Sequence, residues 1–339
     1  MNRPPRAVVV CPGRGAYTSA SLGSLPADHP IVRRAEDHRA ALGLEPLLAL
    51  DGAERFDPAR HLRPANASPL IFLATLLDVE EAARDHELVG VIGNSLGWYT
   101  ALTVAGALSF DDGFRLVQQM ALLQEQPIAG DGPGGQVIYP LTDAGWQPDE
   151  RLTASVADAL LDGGEGQVFE SIDLGAYAVL AGDEPGVQGL LRRLPPVKVG
   201  DRLYPLRLAL HGPYHTPLVA PVASAAAEQL RDLAWRRPAI TLVDGRGGRW
   251  TPWSSEPAAL RDYTLGGQVV TPYRFASSLR VALRELAPDL LVLPGPGNSM
   301  GGICAAGVVM EGYHGIRSRA DFDEAQRAVP VILSMRREG

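Results

Sequence analysis

Residues 93–97 read Gly93-Asn94-Ser95-Leu96-Gly97, a serine framed by two glycines. The apolar run 88–92 precedes them, and the helix-compatible stretch 98–102 follows. This is the layout of a nucleophile elbow, in which a serine on a tight strand-to-helix turn projects its hydroxyl clear of the backbone. Glycine permits so sharp a bend because it has no Cβ. The helix N-terminus behind the serine offers unpaired amides to a developing oxyanion, so the chemistry to expect is attack of Ser95 on a carbonyl. The pentapeptide alone is a weak signal, and its strand and helix flanks give it weight.

The elements that must position this serine are legible around it. A strand at 7–11 runs into Pro12-Gly13-Arg14-Gly15, and a polar, Pro-rich region from about 25 to 69 mixes short helices with loops. Helical spacing of Leu73, Leu76 and Leu77 predicts a helix over 70–87, leading into the strand before Ser95 and a helix to about 104. This βαβ-like alternation predicts an α/β fold around a parallel sheet. Residues 128–135 form a punctuated linker. Beyond it, strand-like 136–141, helix-like 152–161, strand-like 167–172 and 176–181, helix-like 185–194 and strand-like 204–208 give a β-α-β-β-α-β order. The expectation is an α/β-hydrolase-like main domain over 1–127 and 209–339, with strand candidates at 240–243 and 290–293, and a small ferredoxin-like α+β insert over 128–208.

Composition narrows the function classes. The chain has 339 residues, 46% hydrophobic, enough to bury a large core. A formal charge of −8 argues against general binding to nucleic acid or to an anionic membrane. No apolar run approaches the roughly 18 to 20 residues of a membrane span, and Val8-Val9-Val10 is too short for a signal-peptide core. Cys11 and Cys304 are too few for a disulfide framework and suit packing in a reducing cytoplasm. The Gly-rich stretch 294–302 lacks the Lys-Ser/Thr of a phosphate loop, so neither nucleotide nor metal is expected.

Four segments stand in order along the chain: Cys11-Pro12-Gly13-Arg14-Gly15, the elbow with its helix from Gly93 to Leu102, Tyr214-His215-Thr216-Pro217-Leu218, and Leu265-Gly266-Gly267-Gln268-Val269-Val270-Thr271-Pro272. Together they resemble the malonyl-CoA:acyl-carrier-protein transacylase family, the acyltransferases of fatty acid and polyketide synthesis, over most of the chain. The resemblance implies Ser95 as the nucleophile on an acyl thioester and His215 as its general base, oriented by a backbone carbonyl near Gln268. It implies an oxyanion hole from the Leu96 and Arg14 amides. Acyl-CoA would be the donor and an acyl carrier protein the acceptor, with no bound cofactor. Arg192, Arg193 and Lys198 are candidates for contacting an acidic carrier. His211 lies four residues before His215, but Gly212 and Pro213 break any helix between them, so it reads as pocket lining or structural rather than as half of a metal pair.

The chain also departs from the family pattern. The arginine that clamps the malonyl carboxylate falls on Met120, or on Gln119 if the register slips by one. Neither supplies the bidentate fork a carboxylate needs, which favours a neutral acyl group such as acetyl over malonyl. Arg14, standing where the family has glutamine, offers a possible replacement charge. Asn94 and Trp98 replace the usual His and Glu beside the serine, and no acidic residue precedes Gly295-Pro296-Gly297. A hydrolase that clears acyl groups from carrier proteins, or a non-catalytic carrier-docking subunit, are the alternatives to a transferase.

Overall fold

The computed structural model describes residues 3–126, 132–161 and 166–335; residues 128–131 of the expected linker lie outside them. Its strands are β1 (Arg6–Cys11), β2 (Glu87–Gly93), β3 (Gly135–Pro140), β4 (Val168–Asp173), β5 (Tyr177–Gly182), β6 (Val197–Val199), β7 (Arg202–Tyr204), β8 (Leu206–Arg207), β9 (Thr241–Val243), β10 (Arg249–Trp250), β11 (Tyr273–Arg274), β12 (Leu290–Leu293) and β13 (Ile332–Ser334). Six form one sheet in the order β10-β9-β2-β1-β12-β13, parallel except for the edge pair β9–β10. β1 and β12 are buried almost throughout, which is why both read as unbroken apolar runs without alternation. The fold is α/β, as the sequence predicts.

A second sheet runs β11-β4-β5-β3-β8. Helices Glu150–Leu161 and Glu184–Arg193 follow β3 and β5, so the part β8-β3-β5-β4 has the ferredoxin-like arrangement, all pairs antiparallel. It buries its own apolar cluster, including Val137, Tyr139, Leu180, Val187 and Leu190. The strand expected at 204–208 is broken instead. β7 turns back on β6 as a hairpin, and only Leu206–Arg207 joins the sheet. Pro205 between them has no N–H to donate to a ladder. β11, far along the chain, adds to the outer edge of this sheet by pairing Tyr273 with Ile172 and Arg274 with Asp173. That ties the small sheet to the segment carrying Gln268.

The helix expected from residue 70 begins six residues earlier, spanning Pro64–Asp85 with Pro69 inside it. Pro69 has no N–H for the Ala65 carbonyl. Arg39 Nη1 (2.6 Å) and Gln118 Nε2 (3.1 Å) donate to that carbonyl instead. Arg39 is fully buried, with further donors on the Glu45 carbonyl and Asn66 Oδ1. Burial brings it down to about 10, so it stays charged at neutral pH while serving as a carbonyl clamp. No helix of the described residues is long and apolar enough to cross a membrane.

Candidate active site

Ser95 sits between β2 and the Gly97–Val104 helix with φ of 53°, in the left-handed region that costs a residue with a Cβ. The surroundings over-determine that turn. Asn94 N–H donates to the Cys11 carbonyl (3.0 Å), and the buried Tyr273 hydroxyl donates to the Gly93 carbonyl (2.6 Å). A Cβ on Gly93 would lie 2.2 Å from the Gly97 carbonyl carbon, and one on Gly97 would lie 2.1 Å from the Cys11 carbonyl oxygen. Both glycines of the motif are therefore demanded by close backbone approach, not by φ. Among the described residues, neither the Leu96 N–H nor the Arg14 N–H donates to a protein acceptor. They are the two amides expected to receive an oxyanion.

His215 also has a left-handed backbone, φ 60°, and its N–H donates to the Val269 carbonyl (3.1 Å). Nδ1 lies 2.8 Å from the Gln268 carbonyl and Nε2 lies 2.7 Å from Ser95 Oγ. A carbonyl only accepts, so the imidazole proton belongs on Nδ1 and the Nε2 lone pair faces the serine hydroxyl. Gln268 does more than lend a carbonyl. Its side chain is buried, accepts from the Tyr99 hydroxyl at Oε1 (2.8 Å) and reaches the Ser95 carbonyl through Nε2 (3.3 Å).

Burial, with the nearby Arg14 charge, lowers His215 to about 4 against the smaller opposing effect of its bond to Gln268. A base must be neutral, so acylation at Ser95 is expected to be pH-independent near neutrality and to fall as pH drops through about 4, not through the ordinary histidine value of about 6.5. The same shift, shared by His211, means that the unfolded chain binds protons the folded one does not. Stability is therefore expected to be full above about 6.5 and to decline as pH falls toward 4. Stopped-flow acylation and denaturant midpoints over pH 3.5–8 separate the two; an acylation midpoint near 6.5 in folded protein would contradict the buried neutral imidazole.

The pair opens into a cleft of about 420 Å³. Val117, Met120, Ala121, Met300 and Ile303 give it an apolar wall, while Arg14, Asn94 and His211 also line it. Met120 is 1% exposed. Gln119 does not belong to this wall: one residue along the Phe110–Leu123 helix points it away, and its amide bonds Gln229. The Arg14 guanidinium lies 4.7 Å from the Tyr214 ring centre, with Nη1 donating to the Tyr214 hydroxyl (2.7 Å) and Nη2 to Gln124 Oε1. A wider cleft of about 700 Å³ adjoins the first and carries Arg63 and Arg207 on its walls.

No family model matches the chain. The malonyl CoA-acyl carrier protein transacylase of Salmonella typhimurium is 25% identical over 299 residues, covering 87% of this chain and 90% of its own length. An acyl-carrier-protein S-malonyltransferase from Burkholderia pseudomallei has the same fold, with a TM-score of 0.72 and 24% identity over 95% of this chain and 99% of its own. A malonyl-transacylase solved in complex with its type II PKS acyl-carrier protein matches at TM-score 0.71 and 20% identity, over 97% and 94%. The chain is a distant member of the malonyl-CoA:acyl-carrier-protein transacylase family.

Several departures from the transacylase pattern find a physical account. Trp98 is fully buried, packs edge-on to Tyr263 (5.4 Å) and donates from Nε1 to Thr264 Oγ1 (3.0 Å), so it anchors the helix behind the serine. No acid precedes Gly295-Pro296-Gly297 in the chain, but one meets it in space: Gly295 N–H donates to Asp78 Oδ2 (2.6 Å), and Thr75 Oγ1 donates to the Gly295 carbonyl (2.9 Å). Asn94 Oδ1 is buried without a partner among the described residues. Cys11 and Cys304 are buried and their thiols pushed far up by desolvation, so neither is a nucleophile. Tyr99, Tyr273, Gln124 and Gln136 are not visible as site residues in the sequence, since each acts through one or two hydrogen bonds between distant segments.

Proposed function

We propose that this chain moves an acyl group from acyl-CoA to the thiol of an acyl carrier protein in fatty acid or polyketide synthesis, in the cytoplasm, through an ester on Ser95. The observation carrying this reading is the Ser95 Oγ–His215 Nε2 contact of 2.7 Å, backed by the Gln268 carbonyl. His215 takes the Ser95 proton as Oγ attacks the thioester carbonyl. The Leu96 and Arg14 amides hold the oxyanion; as it collapses, the C–S bond breaks and the leaving thiolate takes the proton from His215. The carrier's thiol then reverses the sequence. An acidic carrier would meet Arg192, Arg193 and Lys198, with the cleft arginines Arg63 and Arg207 nearer the path of its arm.

Within this reading the acyl group is neutral, acetyl or another starter unit, in preference to malonyl. Met120 offers apolar surface where a carboxylate would need a cation, and two donors of Arg14 are already engaged by Tyr214 and Gln124. Met120→Arg is expected to raise malonyl loading relative to acetyl by about tenfold, the scale of a charge-assisted hydrogen bond. If instead Arg14→Ala removes malonyl loading and spares acetyl loading, Arg14 is the carboxylate clamp and the neutral preference is wrong. Intact mass after exposure to acetyl-, malonyl- and longer acyl-CoA, with Ser95→Ala as control, tests the whole proposal. An adduct on the wild type that a carrier thiol removes supports transfer; thiol release with no acyl-carrier product would make the chain a hydrolase.

A further inference from the structure

The cleft holds a second imidazole whose proton position is determined by a chain of hydrogen bonds. Ser171 Oγ donates its one hydrogen to the Tyr214 carbonyl (2.8 Å), so toward Gln136 it can only accept, at 2.7 Å. That orients the Gln136 amide with its NH₂ on Ser171 and its Oε1 on His211 Nδ1, 2.7 Å away. Ser171 and Gln136 are both buried. An amide oxygen only accepts, so His211 carries its proton on Nδ1 and presents a bare Nε2 lone pair. Burial, the Arg14 charge and His215 together lower His211 to about 3, which keeps it a neutral acceptor across the working pH range.

Its place in the molecule gives that acceptor a task. His211 lines both the 420 Å³ cleft at Ser95 and the 700 Å³ outer cleft, together with Gln124, Leu208 and Tyr214. These four residues are common to the two clefts, so an extended arm entering by the outer one would pass them on its way to the serine. We propose that His211 is a positioning residue whose Nε2 accepts a hydrogen bond from the pantetheine amide N–H nearest the sulfur. This rests on the transfer reading above. A thiol hydrogen is a poor alternative partner, being a weak donor and absent from a thioester, whereas the amide N–H is present in the acyl donor and in the carrier alike.

The test pairs a change in the protein with a change in the substrate. Acylation of Ser95 is followed by mass with two acetyl thioesters, one of N-acetylcysteamine, which has the amide, and one of ethanethiol, which lacks it. His211→Asn retains a donor toward Gln136 and deletes Nε2; His211→Phe keeps the ring volume and gives a second route if the first variant folds poorly. The wild-type preference in kcat/KM for the amide-bearing thioester is expected to fall roughly 2- to 12-fold in either variant, the range of one neutral hydrogen bond. An undiminished preference, even with both rates lowered, would overturn the assignment and leave His211 as packing. Acylation of the wild type by neither thioester would reject the acyl-serine reading itself, a failure distinct from an unchanged ratio.

Discussion

Ser95→Ala is expected to abolish the acyl adduct and to lower turnover by about 10⁴- to 10⁶-fold, the scale seen when a hydroxyl nucleophile is removed from a unit of this kind. Neither cysteine can stand in for the hydroxyl, since both are buried with their thiols pushed up. His215→Ala is expected to cost nearly as much, because its Nε2 is the acceptor placed on Oγ and its Nδ1 is committed to the Gln268 carbonyl. The two losses should not add. A double variant no slower than either single one is the signature of two groups acting in one proton transfer. The measurement is thiol release from acyl-CoA with intact mass alongside, and a His215→Ala protein retaining more than about a tenth of the rate would mean that the proton leaves by another route.

Ser95 stands out in the residues themselves and His215 only through the resemblance, while the groups that support them do not show, which follows from how each is encoded. An elbow is local: Gly93, Ser95 and Gly97 lie within five residues, and their flanks announce strand and helix. The sheet strands are local too, since β1 and β12 are short apolar runs bounded by turns. The Gln268 carbonyl leaves no side-chain signature, and only resemblance pointed to it. Tyr273 on Gly93, Tyr99 on Gln268, and Asp78 on Gly295 join segments 169 to 217 residues apart through individual hydrogen bonds, which no periodicity reports. The first turn of the Pro64–Asp85 helix lies inside the Pro-rich region and is hidden for a related reason. A proline ordinarily marks a helix start, and here Arg39 and Gln118, distant in the chain, satisfy the carbonyl that Pro69 strands. Gln119 and Met120 show the reverse case, where helix geometry puts only Met120 on the cleft and turns Gln119 toward Gln229.

Gly97→Ala tests the elbow through its geometry alone. The added methyl would lie 2.1 Å from the Cys11 carbonyl oxygen, 2.8 Å from its carbon and 2.9 Å from the Pro12 carbonyl oxygen. All three are backbone, so no side-chain rotation relieves the contact, and either the loop after β1 or the serine turn must shift. Forcing a methyl into packed backbone costs about 1–3 kcal/mol. The loop that must give carries the Arg14 amide, and the turn carries Ser95 and the Leu96 amide, so movement of either separates the nucleophile from its oxyanion donors. A misplacement of about 1 Å costs on the order of 10²-fold in rate. The expected result is a folded protein with a lowered denaturant midpoint and an acylation rate down by about 10²-fold or more, while Gly302→Ala, in a helix with nothing within 4 Å of its added Cβ, changes neither appreciably. If Gly97→Ala loads acyl groups at the wild-type rate, the oxyanion is not held between the Arg14 and Leu96 amides, because their spacing is what the substitution disturbs.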